Sequence, residues 1–517
     1  MLKGLFRKLK GSGEGQCEPY PPLTHCLEEN INRISEIFKG DETLIIRRFH
    51  NMYSPNLVCC VIFIDGMVDV DVLNENIIKP IQSRPVSDTV RGKKLLRELM
   101  ESIIESNNAE EKQDMDYILE SILYGDTLLL TDNCNRGVII SSKGWKTRSI
   151  SEPASEKVVR GPREGFTECL MTNLTLIRRR IQDPGLKFRF LKLGLRSRTR
   201  ICICYIEGIA SEDILKELYS RLEKIKIDAI LDSGYIQELI KDAPYSPFDT
   251  IGTTERPDVA CAKMLEGRIT IVVDGSPFAL TLPYLFVEYF QVNEDYYNNY
   301  VFASFNRLIR IVGATLTITV PALYVAVVTF HQELLPTFLL LSISASRQGV
   351  PFPTVVEAML MIFIFEILRE AGTRIPTPIG QTISIVGALV LGQAAVDARI
   401  VSAPIIIVTA LTGITSLLSF RLLGAPILIR LVFLLLSSVL GFFGLVYGLI
   451  GLVIHLMSLR SFGVPFTLNV TSLKGQEIKD TAIRVPWWYM RTRPPLMAQK
   501  NRKRMSGEMG LSKHAKK

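Results

Sequence analysis

LVFLLLSSVLGFFGLVYGLIGLVIHLMSL, residues 431–459, runs for 29 positions without a formal charge; its one titratable group is His455. As a single helix it would extend about 44 Å, well beyond the roughly 30 Å of hydrocarbon in a bilayer, so it reads as one long tilted helix or as two shorter passes. Gly441, Gly444, Gly448 and Gly451 fall within about 80° of one another around a helix, a narrow face suited to close helix packing. Working outward, residues 308–459 hold 12 charged side chains among 152 positions and no lysine. No soluble domain of that size is so poor in charge. Spans 311–330, 375–396 and 400–420 are likewise free of formal charge and long enough to cross a bilayer. The fold class that follows is α+β: a two-part α/β-like cytosolic N-terminal region, then an all-α polytopic membrane domain.

Between the first two spans the pattern breaks. Residues 334–346 are too few for an ordinary crossing and lead into Arg347 and the broken sequence Gly349-Val-Pro-Phe-Pro353, which suggests a re-entrant or interrupted element. A helix, TVVEAMLMIFIFEILREAG, follows with Glu357 near its start and Glu366 roughly 13 Å further along the axis. An acid inside an apolar membrane helix costs about 2.5 to 3.5 kcal/mol on insertion scales, so it should face protein or water. Both acids are candidates for lining a pathway. For Glu366 the bland alternative is an ion pair with Arg369 one turn on, and for Glu357 a place at the interface. The two lie about 180° apart on the helix, so one face cannot present both to a narrow pore.

The other 365 residues carry 100 charges. In them LVCCVIFI (57–64) reads as a buried strand, residues 91–106 as a helix with one apolar face, and TLLLT and GVIIS as a hairpin. A second block has a strand at 200–206, a helix capped at Ser211, and strands within 268–283. Its strand order is not legible. SEPASEKVVRGPREGFTE (151–168) joins the blocks, with Arg160, Gly161, Pro162, Arg163, Glu164 and Gly165 at its centre; it reads as a solvated linker or as an ordered contact surface for a partner or neighbouring subunit. The domains expected are 1–27 (flexible), 28–150, 151–168, 169–300, 301–460 (membrane, five or six helices) and 461–517 (basic tail).

The formal net charge is +8, and residues 491–517 alone supply that excess with nine basic groups against Glu508. Beside a membrane span this is the cytoplasmic positive-inside pattern; a nucleic-acid arm would interleave aromatic residues among the charges. The start, MLKGLFRKLKGSGEG, has no apolar core of a secretory signal, so the N-terminal part is expected in the cytosol. A cytosolic start and tail demand an even number of crossings. Nine scattered cysteines, none in a C-x-x-C arrangement, point to reduced thiols, with Cys59, Cys60, Cys202 and Cys204 packed in strands. No phosphate-binding loop, zinc-protease motif or nucleophile elbow is present, so no enzyme class, metal or cofactor is indicated.

EPASEKVVRGPREGFTE (152–168), LLPTFLLLSISASRQGVPFPTVVEAM (334–359) and FEILREAGTRIPTPIGQTISIVGALVLGQAAVDARIVSAP (365–404) together resemble the A-subunit family of GerA-type spore germination receptors, over about residues 28–493. The resemblance implies a multi-pass protein of the spore inner membrane working with a membrane-embedded B subunit and a lipoprotein C subunit. It implies a homo-oligomer around an ion-conducting pathway that opens when nutrient binds, with a ring of Glu357 favouring cations. A non-conducting scaffold that transmits the signal is the alternative, and the related SpoVAF-like branch fits the same sequence features.

Overall fold

The structure, a computed structural model, describes residues 20–86, 92–106, 108–144, 152–153, 155–374, 392–418, 422, 424–468, 480–494, 496–498 and 501–504. It separates into two compact units. The first comprises 1–241, 251–283 and 487–517; the second comprises 242–250 and 284–486.

The first unit contains two five-stranded antiparallel sheets. In the first, β1 (Leu44–His50), β2 (Val58–Ile64), β3 (Ala109–Lys112), β4 (Thr127–Thr131) and β5 (Gly137–Ile140) lie in the order β1-β2-β4-β5-β3. Side chains alternate across a strand, so β2 sends Cys59, Val61 and Phe63 to one face and Cys60, Ile62 and Ile64 to the other. Helices α1 (Leu27–Ile37) and α2 (Met115–Leu123) cover the second face, through Ile31, Ile34, Ile118 and Ile122. The helical segments Val70–Ser83 and Lys93–Ile103 cover the first, with Leu73, Ile77, Leu95 and Leu99 buried. Coverage on both sides explains why LVCCVIFI has no polar alternation although its sheet is antiparallel.

The second sheet takes β6 (Leu186–Leu193), β7 (Thr199–Ile206), β8 (Gly252–Thr254), β9 (Ile269–Val273) and β10 (Ala279–Leu282) in the order β6-β7-β9-β10-β8. Helices α3 (Leu170–Arg180) and α6 (Pro257–Leu265) pack on the face that carries Cys202, Cys204 and Val272. Helices α4 (Glu212–Glu223) and α5 (Ser233–Ile240) bury Ile214, Leu218, Leu222, Ile236 and Ile240. A buried ion pair, Arg178 with Asp41, ties the two halves together. The Arg178 guanidinium also lies 4.5 Å over the Phe188 ring and donates to the carbonyl of Leu186 at 3.2 Å, so the charge is held on several sides. Burial pulls the arginine below its ordinary pKa, and the Asp41 carboxylate works against that pull.

The second unit is helical. It contains α7 (Tyr300–Phe330), α8 (Thr337–Ser346), α9 (Thr354–Arg374), α10 (Ala403–Leu417), α11 (Gly424–Leu440) and α12 (Phe442–Ser458). Among the described residues α7 is the helix long and apolar enough to cross a membrane, while α10, α11 and α12 are apolar at 15 to 17 residues. Most of the 375–396 span lies outside the described residues. The ten residues of α8 cover only about 15 Å, too short to cross.

The 29-residue stretch is two helices. The chain reverses at Gly441, whose φ of +59° suits glycine and whose absent Cβ would sit 2.8 Å from that of Phe330. Gly444 then lets α12 approach α11: a Cβ there would lie 2.2 Å from the Leu436 carbonyl oxygen. Gly448 abuts Phe433, while Gly451 has open space where its Cβ would be. The end of α7 meets the start of α12 at Phe330 and Gly441, and Ile311 near the other end of α7 packs against the cluster that holds Leu456 near the end of α12. The two helices therefore run in opposite directions, and the chain enters and leaves this bundle at the same end.

Candidate functional site

Helix α9 carries both acids named from the sequence, and the fold gives each a different neighbourhood. Pro353 precedes the helix, and the Glu357 amide closes the first turn onto the Pro353 carbonyl at 3.1 Å. The Glu357 side chain is fully buried. Its Oε2 accepts from the backbone N–H of Ser402 at 2.9 Å and from the Ser402 hydroxyl at 2.8 Å. Ser402 is the residue that opens α10, so the carboxylate of one helix sits on the positive end of another. Arg347, in the break after α8, places Nε 3.6 Å from Glu357 Oε1. These bonds fasten three elements together: the interrupted segment, α9 and the start of α10. Glu357 Oε1, Arg347 Nε and the Tyr324 hydroxyl are buried without a hydrogen-bond partner among the described residues, a polar spot in an otherwise apolar surrounding.

Nine residues on, Glu366 is ion-paired to Arg369 on its own helix and to Arg430 of α11, whose side chain is 2% exposed. A small cavity of about 10 Å³ adjoins the pair, with Thr317, Ser416 and Ala314 among its lining residues, enough for about one water. The Arg369 pairing is legible in the sequence from its i, i+3 spacing. The Arg430 partner, 64 residues away, is not; the signal available was that Arg430 is the lone charge in α11 and needs an acid. Glu357 and Glu366 are both held by cations inside one chain. The face that α9 leaves exposed carries Val356, Phe363 and Ile367 instead.

The described residues of the joining segment, 152–153 and 155–168, are held by distant partners. Glu156 accepts from the Thr254 hydroxyl at 2.6 Å and the Glu255 amide at 3.1 Å, while the buried Arg256 donates to the carbonyls of Glu156 at 3.2 Å and Pro162 at 2.6 Å. Glu164 is half-buried and ion-paired to Arg179 and Arg180. Gly165 is buried, and Arg160, Gly161, Pro162 and Arg163 lie at the surface. The solvated-linker reading therefore gives way to a fixed surface loop. The pinning residues come from the strand and helix around 254–256, far along the chain, which is why composition alone could not find them. Among the described residues no group of His, Cys, Asp or Glu is arranged to hold a metal ion.

The chain matches the family model described as Bacillus/Clostridium GerA spore germination protein over residues 32–496. It is 41% identical over 484 residues to spore germination protein KA of Bacillus subtilis, covering 93% of this chain and 88% of that protein. It is 38% identical over 482 residues to the B. subtilis protein YfkQ, described as an uncharacterized membrane protein, with 93% of each chain covered. A crystal structure of the N-terminal domain of the A subunit of the Bacillus megaterium spore germinant receptor GerK3 shares 33% identity; the match covers 52% of this chain and 99% of that one, at a TM-score of 0.43. The chain belongs to the GerA-type spore germination receptor A-subunit family.

Proposed function

We propose that this chain is a membrane-spanning A-type subunit of a spore germinant receptor, that it oligomerises in the spore inner membrane with B-type and C-type partners, and that α9 contributes the pathway for nutrient-triggered ion release. The observation that carries the reading is the pair of acids on α9. Each is met by cationic or hydrogen-bonding partners inside an apolar bundle, where a purely structural helix would carry leucine at lower cost. The outward α9 face, with Val356, Phe363 and Ile367, is apolar, as a dewetted constriction is. Glu357 and Glu366 are the charged groups proposed for the open pathway. Glu357 lies about 100° around the axis from Val356, so the bonds to Ser402 and Arg347 must loosen before its carboxylate can turn outward.

Two features favour placing the N-terminal unit and the C-terminal segment together in the cytosol. The antiparallel run of α7 and α12 corresponds to an even number of crossings, and residues 487–504 fold into the first unit with the sheets. The surface loop Arg160–Gly165 is the proposed contact for a partner or neighbouring subunit.

The test is ion flux from liposomes holding the full chain with and without its partners, for wild type and Glu357→Gln. Altered conductance or cation selectivity in an assembled mutant supports the reading. Unchanged flux in an assembled mutant removes Glu357 from the pathway, and no flux from any assembly leaves a signal-transmitting scaffold.

A further inference from the structure

The last described segment of the chain is a built element of the first unit. Residues 491–493 and 502–504 run antiparallel: the Arg493 amide donates to the Arg502 carbonyl at 2.8 Å, the Arg504 amide donates to the Arg491 carbonyl at 2.9 Å, and Thr492 pairs with Lys503. Between the two arms, Met497 and Ala498 are fully buried, and Ala498 joins the core beneath α3 and α6. Gly267, with φ +97°, admits the turn; a Cβ there would lie 2.7 Å from the Met497 carbonyl oxygen. Arg493 works as a structural pin. Its Nε donates to the Leu265 carbonyl at 2.7 Å, at the C-terminal end of α6, and its Nη1 reaches the Asn501 carbonyl and side chain.

The remaining cations are differently placed. Arg491, Arg502 and Lys503 are exposed, and among the described residues no carboxylate pairs with them. Arg504 has Glu266 at 3.8 Å, an acid it shares with Arg268. Exposed aromatic residues Trp487 and Tyr489 stand just before the hairpin, and the Arg504 guanidinium lies 5.3 Å from the Trp487 ring centre. The hairpin docks beside Gly267, next to the start of β9, and Ile269 at that start pairs with Leu282, after which the chain leaves for the apolar helices. Arg268 donates to the carbonyl of Pro283 at this same end of the sheet.

We propose that the 491–504 hairpin is a docking surface for the anionic phospholipid headgroups of the membrane that the helices of this chain span. The proposal rests on the membrane reading given above and adds the residues, Arg491, Arg502 and Lys503, that would meet the phosphates. Cations beside tryptophan and tyrosine are the side chains that suit the headgroup layer. Exposed on an ordered hairpin, with no carboxylate partner among the described residues, Arg491, Arg502 and Lys503 are suited to meeting such phosphates.

The test uses the full chain in nanodiscs, of phosphatidylcholine alone or with about one-third phosphatidylglycerol, and follows hydrogen exchange of residues 487–504. Exchange should slow at least tenfold with the anionic lipid, and raising salt from 50 to 500 mM should erase the difference without any mutation. At about fivefold per cation, Arg502→Gln with Lys503→Gln should lower headgroup affinity on the order of 30-fold. Equal exchange in the two lipids overturns the proposal. So does equal protection by soluble glycerophosphate in phosphatidylcholine discs, which would mark a free-phosphate site. A chain that alkaline carbonate strips from membranes would instead overturn the membrane reading itself, and the proposal with it.

Discussion

Removing Glu366 should cost more than removing the arginine it pairs with. In the structure Glu366 is shared by Arg369 and Arg430, and the Arg430 side chain is 2% exposed. Glu366→Met therefore leaves a buried guanidinium with no carboxylate, the situation that costs about 3–5 kcal/mol when one partner of a buried pair is deleted. Arg430→Met leaves Glu366 still paired to Arg369 and removes a desolvated charge, so its cost should stay near or below about 1 kcal/mol. The double replacement puts two apolar side chains against each other and should recover most of the loss. For a helical unit of this size, at about 2–4 °C per kcal/mol, the first variant should melt on the order of 10 °C lower. The assay is the loss of the monodisperse peak on heating in detergent, followed by fluorescence-detected size exclusion. If Glu366→Met melts no lower than Arg430→Met, the acid is not holding the arginine and the pairing argument fails.

Gly444→Ala should disrupt the α11–α12 hairpin, because its Cβ would overlap the Leu436 carbonyl; a cost of about 1–3 kcal/mol or more is expected by the same melting assay, whereas Gly451→Ala, in open space, should be neutral or gain up to about 1 kcal/mol. Burial pushes the Cys59, Cys60 and Cys261 thiols up to about 12, so at pH 8 iodoacetamide should label the exposed Cys26 and Cys169 first and those three only after denaturation; mass spectrometry reads the order, and early labelling of Cys59 would contradict the buried strand. The same shift carries a sign. The unfolded thiols ionise near 9 and the folded ones near 12, so their contribution to stability is full below pH 9 and falls as pH rises above it. Replacing Arg160 and Arg163 together with serine should weaken co-purification of partner subunits at least several-fold while leaving the melting temperature within a degree or two; intact co-purification would free that loop from any contact role.

Strands such as β2 were legible because the run LVCCVIFI is short, rich in β-branched residues and too apolar for a surface, whereas β1, β3, β6 and β8, with more mixed or shorter sequences, were not. The order β6-β7-β9-β10-β8 was not, since it is set by pairings between residues up to 72 apart in segments of similar composition. In the helical half, the charge-free stretches could be counted, yet the reversal at Gly441 could not be separated from a long helix, because a glycine for close packing and a glycine for positive φ look the same in sequence. The loop around Arg160 and the C-terminal hairpin were hidden for one reason: each is ordered by residues distant in the chain, Arg256 for the first and Gly267 with Leu265 for the second. Of the acid-bearing helix, the position of both carboxylates was readable, whereas the partners Ser402 and Arg430 arrive only with the tertiary fold.

Ion flux from proteoliposomes reconstituted with the full chain and its receptor partners, triggered by nutrient, tests the central claim most directly. The account predicts a nutrient-dependent cation current whose selectivity changes in Glu357→Gln while assembly is unchanged; complete, nutrient-binding assemblies that pass no ions would contradict it.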